Sequence, residues 1–440
     1  MPVSSREDRA RFRAHPVTKA LAAIGVGTAA FHAIRFGMAV FGPARPYWLQ
    51  PRAETTPESE DFLYRLACLT DAIMHYHARI SVLRNGPQFY PAELSAIDEA
   101  RDTINLEAYE FLKGDVTREI VARLTEKARQ GVHVRMIVDA IGSFRTGRSY
   151  FQSLLDAGGQ VAFYHPLNWK DWLYFNHRTH RKLLIVDGTT GFIGGAGFAD
   201  HWIEPTKGKP PWRDTVLKVE GGVAASLNAT FAQGWVESTG ELLFAQGQFP
   251  PEGKPGHTPC IVVMSTPAFD ATRARMLFQT LIDSATRSIK ITSPYFLPDR
   301  SARYSLERAV KQRGVRVQVL TAGPMTDHNS IRYLSEATAS KLVRAGVEFY
   351  EYLPSMIHAK LMVVDDLWSV AGSTNFDPRS LRLNNEVNIA IRDADIATQL
   401  STQFAQDLNA SRRITMDGIR HESETDQLIG EASWLVRNEE

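Results

Sequence analysis

Two stretches decide the fold: His180-Arg181-Lys182-Leu183-Leu184-Ile185-Val186-Asp187 and, 178 residues further on, His358-Ala359-Lys360-Leu361-Met362-Val363-Val364-Asp365. Each has the form His-x-Lys-x4-Asp. Each is followed at the same distance by small residues, Gly194-Gly195-Ala196-Gly197 and Gly372-Ser373-Thr374-Asn375. In a strand, successive side chains alternate faces, so His at i and Lys at i+2 point the same way. The apolar runs LLIV and LMVV predict strands buried on both faces. Asp187 and Asp365 sit at odd spacing from the His, beyond the buried run, where a carboxylate braces a turn or a charge network.

The surroundings repeat as well. AIDEARDTINL (96–106) matches LIDSATRSIKI (281–291), ARQGVHVRMIV (128–138) matches VKQRGVRVQVL (310–320), and LDAGGQVAFY (155–164) resembles LVRAGVEFYE (342–351). The offset stays between 178 and 188 residues. A period this long signals paired, duplicated units and not a solenoid. Thr103–Ala108 reads as a strand, Val116–Gln130 as an amphipathic helix stopped at Gly131, and Val132–Val138 as the next strand. Such alternation predicts α/β layers. The Pro- and Gly-dense stretch FAQGQFPPEGKPGHTP (244–259) marks the joint between the halves. The expected division is an N-terminal segment and linker over 1–60, a first domain over 61–245, a linker over 246–258, a second domain over 259–416, and an acidic tail over 417–440. A helix over Phe62, Leu66, Leu69 and Ile73 is expected to bury those residues on one face.

Composition narrows the class. The chain has 440 residues, 44% hydrophobic and 22% charged, which excludes wholesale disorder and collagen-like or coiled-coil fibres. Its net charge of +1 gives no general attraction to nucleic acid. The two cysteines, Cys68 and Cys260, exclude a disulfide framework and are expected to be buried. Ala20 to Phe41 is apolar except for Thr28, His32 and Arg35, behind Arg6, Arg9, Arg11, Arg13 and Lys19. Three readings stay open for it: a membrane-interface anchor, which is favoured, a span, or a packed helix. The basic flank favours the cytoplasmic side of a membrane. Pro43, Pro46, Pro51 and Pro57 make 42–60 a linker. Trp169, Trp172, Tyr174 and Phe175, just before the first motif, suit core packing or an acyl-chain entry. His165, His177, His201 and His328 lack the partner pattern and are expected to be loop or supporting residues.

If the repeats pack face to face, two imidazoles and two ammonium groups converge. Two lysines hold the non-bridging oxygens of a phosphate in an in-line displacement. One neutral imidazole attacks phosphorus, and the other, protonated, donates to the leaving oxygen. Either His can take either part on this reading. No metal is called for, because adjacent lysines repel a cation and no carboxylate or thiolate stands at ligand spacing. An imidazole in this role needs a carboxylate on Nδ1. Asp214 in WRD (212–214) and Glu386 in NNE (384–386) each lie downstream of a motif.

At this point the chain resembles the phospholipase D superfamily and, within it, the bacterial cardiolipin synthases, over about residues 80–415. The residues that carry the resemblance are the two HxKx4D elements, GSTNFDPRS (372–380), NNE (384–386), WRDTVLKVEG (212–221), DAIGS (139–143) and SPYFLPD (293–299). The resemblance implies two α-β-α sandwich domains with the active site at their interface. It implies a phosphatidyltransferase that moves a phosphatidyl group onto the hydroxyl of phosphatidylglycerol, without a cofactor. His180 is then the nucleophile and His358 the acid/base. Lys182, Lys360 and Asn375 bind phosphate, Asp214 and Glu386 orient the imidazoles, Ser373 binds phosphate or orients, and Asp187 and Asp365 complete the two catalytic signatures. Phospholipids and a membrane surface are the implied partners, and nucleic acid is not expected. One departure stands out: Gly197 occupies the place where the family pattern has Asn. Two other functions use the same residues, hydrolysis by a phospholipase D or nuclease, and a non-catalytic membrane-binding scaffold.

Overall fold

The computed structural model describes residues 47–49, 56–166, 176–206, 208–244, 247–250, 253–267, 271–327 and 329–416, with Gly25, Gly27, Thr28 and Phe31 of the N-terminal segment. In the first half the strands are β1 (Met74–Arg84), β2 (Thr103–Ala108), β3 (His133–Asp139), β4 (Gln160–Tyr164), β5 (Lys182–Val186), β6 (Thr190–Gly194) and β7 (Thr215–Glu220). In the second they are β8 (Thr258–Ser265), β9 (Ser288–Thr292), β10 (Arg316–Ala322), β11 (Glu348–Tyr352), β12 (Leu361–Val364), β13 (Trp368–Gly372), β14 (Glu386–Arg392) and β15 (Ser411–Ile414). The sheet order is β15-β11-β10-β9-β12-β13-β14-β8-β1-β7-β6-β5-β2-β3-β4. Read outward from the central antiparallel pair β1/β8, the two halves follow one order, and β15 alone has no counterpart.

The helices are α1 (Glu60–Thr70), α2 (Gly86–Glu99), α3 (Asp115–Arg129), α4 (Gln152–Asp156), α5 (Gly222–Thr239), α6 (Arg273–Ser284), α7 (Arg300–Arg313), α8 (Asn329–Arg344), α9 (Pro378–Arg382) and α10 (Ala394–Asn409). In α3, Ile120, Val121, Leu124 and Ala128 are buried while the charges face outward, and Gly131 leaves the helix at φ 91°. One core in each half packs the outer helices on the sheet. A third core is shared: Leu183, Leu217 and Phe231 of the first half meet Val363, Ile389 and Leu400 of the second, and α5 and α10 both contribute to it. This shared layer holds the halves together, and the site lies at the same junction.

The motif's buried run is β5 and β12. Every residue of β5 is buried, as are Met362, Val363 and Val364 of β12. Both strands end in a tight turn in which Asp187 (φ 52°) and Asp365 (φ 54°) adopt the left-handed region that Asp tolerates better than most residues. The Asp187 carboxylate accepts from the backbone N–H groups of Arg101, Asp102 and Thr103 at the head of β2. Asp365 accepts from those of Thr286, Arg287 and Ser288 at the head of β9. These two residues brace the hairpins from the far end of the motif strands.

Three expectations are corrected. Cys68 is exposed, and only Cys260 is buried. Helix α1 buries Phe62, Leu63, Leu66, Ala67 and Thr70, whereas Leu69 and Ile73 are exposed. The helix ends at Thr70 with Asp71 left-handed as its cap, so Ile73 is beyond the helix and cannot share its face. The stretch 42–60 is also more than a tether where it is described. Tyr47 N–H donates to Ser301 Oγ at 2.9 Å, its ring lies under the Arg275 guanidinium, and Trp368 Nε1 donates to the Pro57 carbonyl at 2.8 Å.

Met1–Arg45 forms a unit separate from Pro46–Glu440. Its four described residues are helical and exposed. Among the described residues no helix is long and apolar enough to cross a membrane. The anchor expected over 20–41, the aromatic stretch Trp169–Phe175, His328 and the acidic tail lie outside the described residues, apart from Gly25, Gly27, Thr28 and Phe31.

Candidate active site

Each motif histidine is delivered by a short bridge between the halves. The backbone of Thr179 pairs with Asn385, and that of Ile357 pairs with Arg213. His180 N–H donates to the Asn385 carbonyl at 2.9 Å, and His358 N–H donates to the Arg213 carbonyl at 2.7 Å. These bridges bring each imidazole to the carboxylate that follows in the other half. His180 Nδ1 stands 2.9 and 3.1 Å from the Glu386 oxygens. His358 Nδ1 stands 3.0 Å from Asp214 Oδ2. Sequence order suggests a pairing of each carboxylate with the motif just before it, and the structure crosses them.

Both carboxylates are buried and held. Ser373 Oγ donates to Glu386 Oε2. Trp202 Nε1 donates to Asp214 Oδ2 at 3.2 Å, and Thr215 N–H donates to Oδ1 at 2.8 Å. Ser373 therefore orients Glu386. Its counterpart Gly195 has no room for a side chain, because a Cβ there would lie 2.7 Å from Asp214 Oδ1 and from the His358 carbonyl, and 2.9 Å from Lys360 Cδ. The same contacts show how tightly the first half's glycine loop seats against the second half's His and Lys.

Lys182 and Lys360 are buried beside their histidines, and each Nζ donates to the carbonyl of the His two residues before it. The Lys182 Nζ lies 5.3 Å from the centre of the Tyr109 ring, which meets His180 edge-on at 5.2 Å. Asn375 is buried, and its Oδ1 has no hydrogen-bond partner among the described residues.

The electrostatics follow from burial. It pushes His180 down to about 4, against the pull of Glu386 and with Lys182 adding to the fall. It pushes His358 down to about 3, helped by Lys360 and opposed by Asp214. Each imidazole also feels the lysine of the other half. Burial lowers Lys182 to about 8 and Lys360 to about 7. It acts to raise both carboxylates, but His358 and Lys360 leave Asp214 below its ordinary value, and His180 and Lys182 do the same for Glu386. At neutral pH the site thus holds two neutral imidazoles, each donating Nδ1–H to a carboxylate and leaving Nε2 as a nucleophile or base.

Several residues at the site carry no signal in the motif. Arg178 makes a buried ion pair with Asp139 of DAIGS, whose Oδ2 also accepts from Thr179 N–H at 3.1 Å. Arg213 pairs with Asp407. The first pair clamps the segment that carries His180, and the second clamps the segment that carries Asp214, whose Arg213 carbonyl accepts from His358 N–H. Asp139 at the end of an apolar strand, just before a glycine turn, was the one available hint. Trp212, of WRD (212–214), lines the site as well, and Trp202, Tyr109 and Glu110 line it without any marker in sequence. Among the supporting histidines, His165 Nδ1 bonds the His177 carbonyl at 2.8 Å. Among the described residues, no group of His, Cys, Asp and Glu has the form of a metal site.

A family model described as cardiolipin synthase, PLD-like domain, matches residues 94–204 and 278–408, one stretch in each half. Cardiolipin synthase A of Pseudomonas putida (strain W619) is 35% identical over 379 residues, covering 84% of this chain and 76% of that relative. Cardiolipin synthase A of Pseudomonas fluorescens (strain SBW25) is 34% identical over 369 residues, 83% of this chain and 74% of the relative. Among solved structures, phosphatidylserine synthase of Haemophilus influenzae superposes with a TM-score of 0.66 at 15% identity, over 86% of this chain and 98% of that one. That likeness shows the shared fold.

Proposed function

Because the chain belongs to the cardiolipin synthase, PLD-like family, and is thereby a phosphatidyltransferase of the phospholipase D superfamily, we propose that it moves a phosphatidyl group between phospholipids through a covalent phosphohistidine. Phosphatidylglycerol is the proposed acceptor. The observation that carries this reading is the crossed arrangement: two buried imidazoles, each on a carboxylate of the opposite half, beside two buried lysines.

His180 Nε2 attacks phosphorus, forming the P–N bond while the P–O bond to the leaving head group breaks. His358, protonated when the substrate's negative charge enters the site, gives its proton to the leaving oxygen. The acceptor hydroxyl then loses its proton to the now neutral His358, its oxygen attacks phosphorus, and the P–N bond breaks. Lys182, Lys360 and the Asn375 amide hold the non-bridging oxygens. Asp214 and Glu386 stabilise whichever imidazole is charged. The lipid is reached from a membrane surface on the cytoplasmic side, with 20–41 as an anchor.

The test is a product assay on the purified full chain with acyl-labelled phosphatidylglycerol in mixed micelles. Cardiolipin is the expected product, with the rate unchanged by EDTA; with phosphorus-32-labelled phosphatidylglycerol in a parallel run, label is expected on the denatured protein in an acid-labile, base-stable form. Phosphatidic acid as sole product turns the reading to hydrolysis, and inertness toward every phospholipid ends it. Removing residues 1–41 is expected to move the protein from the membrane to the soluble fraction.

A further inference from the structure

The near-symmetry of the halves breaks at one place beside the site. Phe111 bridges to Phe198 as Phe296 bridges to Phe376, so Glu110 corresponds to Tyr295 and Gly197 to Asn375. In the second half the Tyr295 hydroxyl donates to the Asp327 carboxylate at 2.6–2.7 Å. In the first half the phenol is replaced by a carboxyl and the amide by nothing. A Cβ at Gly197 would lie 2.7 Å from the Glu110 carbonyl and 3.1 Å from its Cβ.

Glu110 Oε1 lies 3.6 Å from His201 Nε2, beyond hydrogen-bond reach. That Nε2 is buried and has no hydrogen-bond partner among the described residues. The His201 ring contacts the indoles of Trp202 and Trp212 at 4.1 and 4.0 Å. Both indoles also contact His358, at 5.7 and 5.3 Å. The carboxyl–imidazole gap therefore adjoins the histidine that handles the leaving and incoming oxygens, on the assignment made above. The charged groups acting on Glu110 are Lys182, Asp327 and Lys360. Burial raises this carboxyl to about 7, and in its charged form it opposes the phosphodiester's own charge, so its use lies with the head group.

The geometry points to Glu110 and His201 as the specificity pocket for a polyol head group, holding a hydroxyl next to the one that reacts. A substrate oxygen placed about 2.8 Å from both atoms would bridge the gap. A hydroxyl has one proton to give: it donates to the carboxylate while accepting from Nε2–H, or accepts from the protonated carboxyl while donating to the Nε2 lone pair. An ammonium group only donates, and pairs with one tautomer alone. This inference rests on the phosphatidyl-transfer reading and on His358 as the acid/base.

The test measures partition of one intermediate. Acyl-labelled phosphatidylglycerol is turned over by the full chain with radiolabelled glycerol and 1-propanol present together at equal concentration. Glycerol incorporated into phosphatidylglycerol is compared with phosphatidylpropanol formed. Both acceptors compete for the same enzyme-bound group, so their ratio is independent of the donor step. The wild type is expected to favour glycerol, and Glu110→Gln and His201→Phe are each expected to lower that preference about tenfold or more, with thermal midpoints checked against the wild type. A ratio unchanged in a folded Glu110→Gln protein overturns the pocket and leaves the transferase reading standing. Ethanolamine is run as a third acceptor, and a loss confined to it assigns the pocket to an ammonium and overturns the polyol. A wild type that forms none of these products overturns the transferase reading and the pocket with it.

Discussion

Glu386→Gln removes one charge and almost no volume, and it tests the crossed pairing directly. Glu386 is buried, accepts from His180 Nδ1 at 2.9 Å and is held by the Ser373 hydroxyl. The carboxylate accepts only, so it holds the proton on Nδ1 and leaves Nε2 free to attack. An amide turned with its NH2 toward the ring reverses the tautomer and silences the proposed nucleophile. In a catalytic triad, the same acid-to-amide change costs about 10⁴-fold in kcat. Here Ser373 Oγ already accepts from Val387 N–H at 3.0 Å and has a second lone pair. It can therefore take a hydrogen from the amide and keep the correct oxygen toward His180 in part of the population. The expected loss is thus about 10²- to 10⁴-fold, or ~3–5.5 kcal/mol in activation free energy. The assay is the initial rate of cardiolipin formation, paired with nitrogen-15 spectra of the histidine rings. Glu386→Gln should move the signals of His180, in the other half, and Asp214→Asn those of His358. A rate within about threefold of wild type, with His180 signals unmoved, refutes the crossed arrangement.

The other predictions concern support and stability. Arg178→Met strands the buried Asp139 carboxylate and should cost about 3–5 kcal/mol of stability in urea unfolding, along with most activity, because Thr179 loses its clamp. Gly197→Asn should not restore a phosphate ligand; its Cβ meets the Glu110 carbonyl, and about 1–3 kcal/mol of destabilisation is expected by thermal unfolding. Burial raises Glu93 to about 8. Its protonated form is favoured in the folded state, so its contribution is fully present below about pH 4.5 and is lost as pH rises toward 8. Glu93→Gln should therefore gain stability relative to wild type between pH 5 and pH 8, by about 3 kcal/mol. A pH-independent difference between the two proteins would show that Glu93 is not held protonated.

Much of the architecture is legible in the order of residues because it rests on local periodicity. The run LLIV is buried along its length and LMVV in all but Leu361, and the matched segments at 96–106 and 281–291 become the equivalent strands β2 and β9 with the helices before them. Helix α1 shows where such periodicity stops being informative: its buried face depends on where Asp71 ends the helix and on the second-half core into which Phe62 and Leu66 pack. Cys68 falls outside that face for the same reason.

The candidate site divides in the same way. The duplicated His and Lys, and the need of each imidazole for a carboxylate, follow from side-chain chemistry repeated at constant spacing. Which carboxylate serves which imidazole, and that Glu110 and His201 meet beside Trp202, required the folded chain. The sequence by itself determined the strands, the duplication and the paired His and Lys, since these depend on near neighbours and on the alternation of faces. Only the tertiary structure decided the partnerships, because residues 144 and 206 positions apart are joined by a bridge between halves that no local pattern encodes.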